Sequence, residues 1–149
     1  MNKIFSQYAD YYNILYQEKD FEGEAKFVSR LVKKLVSRKN EELKLLDLAC
    51  GTGRHAMELV RLGYNVEGSD ISKEMIEQAV TECNKNNFDI NFYNLSFQAT
   101  DKIGKKYYVI LSMFSGIDYL TTYEDLSLAL KNIYSLLDDD GIFIFDFWN

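Results

Sequence analysis

Two carboxylates and a glycine turn are the residues of this chain best arranged for chemistry. Leu45-Leu46-Asp47-Leu48-Ala49-Cys50 runs into Gly51-Thr52-Gly53-Arg54-His55, and a second acid, Asp70, closes the next apolar run. An apolar run that ends in a Gly-Thr-Gly turn lets backbone approach a ligand closely, because glycine lacks a Cβ and tolerates positive φ. A helix starting after that turn aims its unpaired N–H groups back at the same spot. The two acids add acceptors for hydroxyl or ammonium donors.

The elements that must position these residues alternate along the chain. Strands are expected at 43–48, 64–69, 90–93, 107–113 and 142–147, the fourth apolar almost throughout, as a strand buried on both faces should be. Val28, Leu31, Val32, Leu35 and Val36 repeat at helical spacing, with Arg30, Lys33 and Lys34 on the other side. A helix from Arg54 turns Ala56, Leu59, Val60 and Leu62 inward and stops at Gly63. Ser72 caps a helix in which Met75, Ile76, Ala79, Val80 and Cys83 share a face, and Asn86-Asn87 ends it. Leu126, Leu130, Ile133, Leu136 and Leu137 form a further inward stripe. Asp138-Asp139-Asp140-Gly141 reads as a solvated turn without calcium-loop spacing, so no metal site is expected. Residues 94–106 either extend the third strand or form a loop.

This alternation predicts an α/β fold, a doubly wound (Rossmann-like) parallel sheet of order 3-2-1-4-5. Ligands in such sheets bind beyond the carboxyl ends of the strands, at the switch point between strands one and four. The glycine turn, Asp70 and Met113-Phe114-Ser115-Gly116 all fall there.

Composition narrows the function classes. Of the residues, 47% are hydrophobic, proline is absent and no Gly/Ser-rich linker appears, which predicts one domain over 1–149. A net charge of −6 without a dense basic run argues against nucleic acid or an anionic membrane as partner. The two cysteines, Cys50 and Cys83, make neither metal-ligand spacing nor a disulfide framework. No run is long enough to span a bilayer and Met1-Asn2-Lys3-Ile4 lacks a signal-peptide core, so a cytoplasmic protein is expected. Phe5, Tyr8, Tyr11, Tyr12 and Tyr16 crowd the N-terminus. They suit an amphipathic helix packed on the domain, or a lid over 1–20 whose rings and phenols cover a ligand.

Gly51-Thr52-Gly53-Arg54-His55-Ala56 also fits the dinucleotide pattern, with Asp70 near the ribose-binding distance. Asp47 argues for another ligand. A carboxylate under the turn sits poorly beside a pyrophosphate and well beside an ammonium and a sulfonium, as in S-adenosylmethionine (SAM), whose ribose Asp70 could hold. Leu46-Asp47-Leu48-Ala49-Cys50-Gly51-Thr52-Gly53 resembles the first motif of class I SAM-dependent methyltransferases, and Gly68-Ser69-Asp70-Ile71-Ser72 with Met75 resembles their second. Tyr8-Ala9-Asp10-Tyr11-Tyr12, Lys19-Asp20-Phe21, Met113-Phe114-Ser115 and Phe145-Asp146-Phe147-Trp148-Asn149 are similar to the subgroup containing sugar-nucleotide amine N-methyltransferases.

The resemblance implies a cofactor site. Asp47, Ala49, Cys50, Gly51 and Gly53 would hold the methionine portion, Asp70 the ribose, and Ile71 with Met75 the adenine region. Met113 would close the methionine end by backbone contact, and Tyr8, Tyr12 and Phe21 would cover the cofactor. Relatives usually place an acid after strand three; here Leu95-Ser96-Phe97 stands there, which leaves that contact to Ser96 and Phe97. They also continue past strand five into a substrate-covering insertion and an antiparallel hairpin, so a C-terminally shortened chain is expected.

Methyl transfer to an amine needs an in-line approach and a neutral nitrogen. Tyr12 and Tyr119 are the candidates to assist, Tyr119 because the resemblance implies that it stands where some relatives carry a histidine base, with Asp118 as a turn cap or a third, and each tyrosine equally able to be simple packing. The lone histidine, His55, reads as a helix-start residue. The expected function is methyl transfer from SAM to a small-molecule acceptor, at an amine nitrogen. The alternatives are a SAM-binding module without transfer and, more remotely, a nicotinamide-dinucleotide domain. An unpaired fifth strand also predicts a homodimer through that edge.

Overall fold

Strands apolar on both faces need helices on both sides, and the chain supplies them in alternation. The computed structural model describes residues 11, 12 and 14–148. Tyr8 and most of the expected lid helix over 1–20 lie outside the described residues. Helix α1 (Phe21–Leu35) precedes β1 (Lys44–Leu48), α2 (Arg54–Arg61), β2 (Asn65–Asp70), α3 (Lys73–Lys85) and β3 (Asn91–Asn94). Then come β4 (Tyr107–Ser112), α4 (Tyr123–Leu136) and β5 (Leu137–Phe145). The sheet order is β3-β2-β1-β4-β5 and every pairing is parallel, as the alternation predicted. Among the described residues no helix is long and apolar enough to cross a membrane.

Each sheet face carries its own core. Leu45, Val66, Val109 and Leu111 pack with Val28, Val32, Ala56 and Leu59 on one side. Leu46, Leu48, Tyr107 and Ile110 pack with Ile133 and Leu136 on the other. The carboxyl ends of β1, β2 and β4 therefore open side by side at one rim, where the turn after β1 lies.

Several expectations needed correction. Leu35, Val80 and Leu130 are exposed, although their spacing put them inward. The buried stripes are narrower: Phe21, Ala25, Val28 and Val32 on α1, then Met75, Ala79 and Cys83 on α3. On α4 the stripe is rotated, because Asn132 faces inward and its Nδ2 donates to the Gln98 carbonyl at 2.8 Å. Hydrophobicity cannot reveal a polar residue buried to satisfy backbone. Residues 94–106 form neither a longer strand nor a plain loop, since Phe97–Ile103 is a 3-10 helix with Thr100 buried.

The acid run Asp138-Asp139-Asp140-Gly141 is not a turn preceding the last strand. It lies within β5, as an irregularity in register: Tyr107 pairs with Leu137, while Val109 pairs with Ile142. Leu137 thus opens the strand instead of ending the helix. Lys106 Nζ donates to the carbonyls of Ser135 (2.9 Å) and Leu137 (3.1 Å), tying the helix end to the sheet so that the extra residues must bulge.

Gly68 is the tightest point under the site. It pairs with Asp47 on one side and Phe92 on the other. An added Cβ would lie 2.7 Å from Phe92 Cδ1 and 3.0 Å from Cys50 Sγ. Gly68→Ala is expected to cost about 1–3 kcal/mol through overpacking. A urea titration should then give a lower midpoint with an unchanged slope.

Candidate cofactor site

The turn after β1 takes its shape from left-handed backbone. Ala49 (φ 55°), Gly51 (φ 55°) and Gly53 (φ 76°) all lie in that region, which costs nothing for the glycines and is unfavourable for Ala49. Hydrogen bonds hold the turn: Cys50 N–H donates to the Ser69 carbonyl, and Gly53 N–H to the Cys50 carbonyl, both at 3.0 Å. The turn then feeds α2 with Gly53 as its N-cap.

Asp70 joins this turn to the next helix. Its Oδ2 accepts the Gly51 N–H at 2.9 Å and its Oδ1 the Ser72 N–H at 2.8 Å. Both oxygens retain lone pairs, since a carboxylate offers about four acceptor positions. Burial pushes the Asp70 carboxyl above its usual range, against the bonds from Ser72 and Gly51. Ser72 Oγ accepts from Met75 N–H at 3.2 Å, capping α3 as its sequence position predicted. Asn94 Nδ2 donates to the Asp70 and Ile71 carbonyls at 3.0 and 2.8 Å, fixing the loop while the Ile71 side chain stays 75% exposed.

Asp47 is the anomaly. It is 1% exposed, and its Oδ2 has no hydrogen-bond partner among the described residues. Burial pushes its pKa up to about 7, His55 pulls it down and the nearby Asp70 pushes it up. Cys50, whose thiol burial also raises well above the usual range, lines Gly68 as a small buried spacer.

A second strained turn faces the first. Phe114 (φ 61°) and Ser115 (φ 58°) are left-handed, and Asp146 accepts both their N–H groups, at 3.0 and 2.6 Å. Gly116 follows, and a Cβ there would sit 2.7 Å from Ala49 Cβ. The Gly116 backbone thus packs directly against the Ala49 side chain of the first turn.

Aromatic rings close over this pair of turns. The Tyr12 hydroxyl lies 3.8 Å from where a Gly51 Cβ would be. Tyr12 and Tyr16 have centroids 4.8 Å apart, and Tyr16 meets Phe114 edge-on at 4.9 Å. Lys19 Nζ stands 4.3 Å from the Phe114 centroid and pairs with Glu24. Glu24 also meets His55 Nε2 at 2.6 Å, and that bond, with the one from Lys19, outweighs burial and holds its carboxyl down to about 2. His55 is accordingly a buried tie between α1 and α2.

The structure thus brings Tyr12, Asp47, Ala49, Cys50, Gly51, Gly53 and Asp70 to one place, with Ile71 and Met75 on the adjoining β2–α3 segment and Met113 on the turn after β4. Phe21 is 4% exposed with its ring edge-on to His55. Ser96 is half-buried before the 3-10 helix, and Phe97 packs against the core cluster that holds Leu46, Tyr107 and Ile133. Tyr119 is 78% exposed at the end of the 3-10 helix Gly116–Tyr119. Asp118 accepts the Trp148 N–H at 3.0 Å. Sequence reasoning gave no role to Asp146, Lys19 or Glu24. For Asp146 a signal existed: an acid closes the last apolar run as Asp70 closes the second.

Comparison with known proteins agrees with this geometry. Residues 45–141, well over half the chain, match a family model described as a methyltransferase domain. A dTDP-3-amino-3,4,6-trideoxy-alpha-D-glucopyranose N,N-dimethyltransferase of Streptomyces venezuelae is 30% identical over 143 residues, covering 95% of this chain and 57% of the relative. A dTDP-3-amino-3,6-dideoxy-alpha-D-glucopyranose N,N-dimethyltransferase of Streptomyces fradiae is 28% identical, with 94% and 52% covered. The crystal structure of Streptomyces venezuelae DesVI superimposes with a TM-score of 0.81 at 28% identity, over 95% of this chain and 57% of that one. The chain spans little more than half the length of these relatives. On the matched family model, the sheet order and the glycine turn, the chain belongs to the class I SAM-dependent methyltransferases, close to the sugar-amine N-methyltransferases.

Proposed function

We propose that this chain binds SAM and serves methyl transfer to a small-molecule amine. The observation that carries the reading is the buried, unpartnered Oδ2 of Asp47 beneath a left-handed glycine turn. A buried carboxylate oxygen without a donor is costly, so it marks a place for a cationic group. The ammonium of SAM fits that donor-poor acid. Gly51 and Gly53, with Ala49 and Cys50, offer backbone to the methionine portion, and Asp70 keeps acceptor capacity for ribose hydroxyls. Ile71 offers an exposed apolar face to adenine, with Met75 buried one turn further along the same segment, and Ser96 and Phe97 follow the neighbouring strand β3. Met113 borders the methionine end, and Phe21 backs the lid.

Bound there, SAM supplies a methyl group on a positively charged sulfur. The chain's own part is to orient and to exclude water. Tyr12, packed at a tilt against Tyr16, covers the glycine turn and keeps a hydroxyl near Gly51, suited to hold an incoming amine or take its proton. Tyr119, exposed beside the turn after β4, is the second candidate for the acceptor side. The sugar-amine reactions named for the relatives support nitrogen as the target. SAM binding without transfer is the second reading, favoured by the exposure of Tyr119.

Calorimetry with S-adenosylhomocysteine tests the cofactor reading. The chain should bind it, and Asp70→Ala should weaken binding by at least about tenfold, as expected for lost hydrogen bonds to a charged acceptor. No binding by the parent chain, or an Asp70→Ala variant with unchanged affinity, would refute it.

The Asp47 carboxyl gives a pH signature. Its folded pKa of about 7 lies above the ordinary carboxyl value, so the free protein binds an extra proton that the unfolded chain releases. Its contribution to stability is therefore full at low pH and lost as pH rises toward 7. Binding an ammonium requires the ionised acid, so the sign is opposite: affinity should fall below pH 7 by up to about tenfold per unit. At pH 6 binding should release a proton, and that release should shrink as pH rises through 7, read from buffers of different ionisation enthalpy. Asp47→Asn should abolish the dependence.

A further inference from the structure

The carboxylate of Asp146 takes no part in the cofactor contacts proposed above, yet it reaches across to the turn after β4. Oδ2 accepts from Phe114 N–H at 3.0 Å and Oδ1 from Ser115 N–H at 2.6 Å. Two consecutive non-glycine residues with φ of 61° and 58° are unfavourable, and such strain persists only where the surroundings over-determine it. Successive N–H groups in that conformation converge on an anion, which the carboxylate provides. The other side of the turn has no slack, since a Cβ on Gly116 would lie 2.7 Å from both Ala49 Cβ and Ser112 Oγ.

What this turn presents is the Phe114 ring. Tyr16 meets it edge-on at 4.9 Å and Lys19 Nζ stands 4.3 Å from its centroid. Tyr16 packs in turn on Tyr12, whose hydroxyl overlies Gly51. A continuous chain of contacts therefore links the end of β5 to the cover of the glycine turn. Strand pairing does not require the side chain, because the Asp146 backbone N–H alone extends the ladder, donating to the Ser112 carbonyl at 3.3 Å.

We propose that Asp146 is a positioning residue: by holding Phe114 and Ser115 left-handed it builds the seat on which the Tyr12 and Tyr16 rings close. Its consequence for cofactor retention rests on the methyltransferase reading. The coupling from Asp146 to the lid does not.

The test uses the 149-residue chain with Asp146→Ala, Asp146→Asn, and Asp146→Ala combined with either Ser115→Gly or Ser115→Ala. Two quantities are read: amide hydrogen exchange at Tyr16, Gln17 and Lys19, whose N–H groups are bonded within the segment, and affinity for S-adenosylhomocysteine. Asp146→Ala should speed exchange at those amides and weaken affinity, each by about tenfold, the equivalent of about 1.4 kcal/mol. Asp146→Asn, whose single amide oxygen can still accept, should fall between and carries the test if Asp146→Ala does not fold. Ser115→Gly should recover most of the loss, because glycine holds positive φ unaided, whereas Ser115→Ala should recover none.

Parent-like exchange in both Asp146 variants overturns the proposal, as does rescue by Ser115→Ala equal to that by Ser115→Gly. If the parent chain binds no S-adenosylhomocysteine, the cofactor reading fails and the exchange measurement still decides the coupling. If the parent binds and the Asp146 variants bind equally with unchanged exchange, the coupling fails and the cofactor reading stands.

Discussion

Burying a carboxylate costs free energy unless donors meet it, and the rim of this sheet is organised around one that is incompletely met. Asp47 sits on the central strand, flanked by β2 and β4, where water cannot reach it. Its neighbours could not be chosen freely. Gly68 must lack a side chain so that Phe92 and Cys50 can close beneath the turn. His55, tied to Glu24, lies close enough to pull the acid's pKa down without bonding it. The left-handed turn follows at the end of the same strand, so its backbone groups and the unpartnered carboxylate oxygen lie close together. The site exists because packing below is complete and polar satisfaction above is not.

Two further acids solve a related problem, and they do so alike. Asp70 ends β2 and accepts the N–H groups of Gly51 and Ser72; Asp146 follows β5 and accepts those of Phe114 and Ser115. In each case a carboxylate at the carboxyl end of a strand fixes the turn that leaves the adjacent strand. Turns are where a parallel sheet is least constrained, since the ladder has stopped and the next helix has not begun. Charge-assisted bonds to paired backbone donors supply the missing constraint. The turns after β1 and β4 can then touch at Ala49 and Gly116 and carry rings whose positions are set to within a contact distance.

Much of this was legible in the sequence because it depends on local patterning. The strand–helix alternation fixed a parallel sheet, and the glycines with Asp47 and Asp70 marked its switch point, since apolar period and turn chemistry are short-range properties. Legibility failed where the determinant was long-range. Leu35, Val80 and Leu130 have the right spacing but lie at stripe edges left exposed among the described residues. Asn132 is buried for the sake of the Gln98 carbonyl, thirty-four residues away. The acids at 138–140 look like any solvated turn until the register of β4 against β5 absorbs them as a bulge. The pairing of Lys19 and Glu24 with His55, and of Asp146 with the turn at Phe114, likewise joins residues that the fold alone brings together.

The sheet also offers an internal control for separating site from scaffold. Glu67 is a second buried acid, one residue before Gly68, and pairs with Leu46 where Gly68 pairs with Asp47. Its carboxylate accepts from Tyr107 Oη, from Lys105 Nζ at 2.7 Å, from Tyr93 Oη at 3.2 Å and from Asn91 Nδ2 at 3.4 Å. Every lone pair it could direct inward has a donor, and those donors come from β3, β4 and the turn before β4. Such a network rigidifies, and it leaves no capacity for a ligand. Asp47 is buried more deeply still, and it keeps an oxygen with no donor among the described residues. Two acids on adjoining strands thus carry opposite meanings. The satisfied one secures the sheet so that the unsatisfied one can be held in place, at a cost in stability that a cationic ligand would remove.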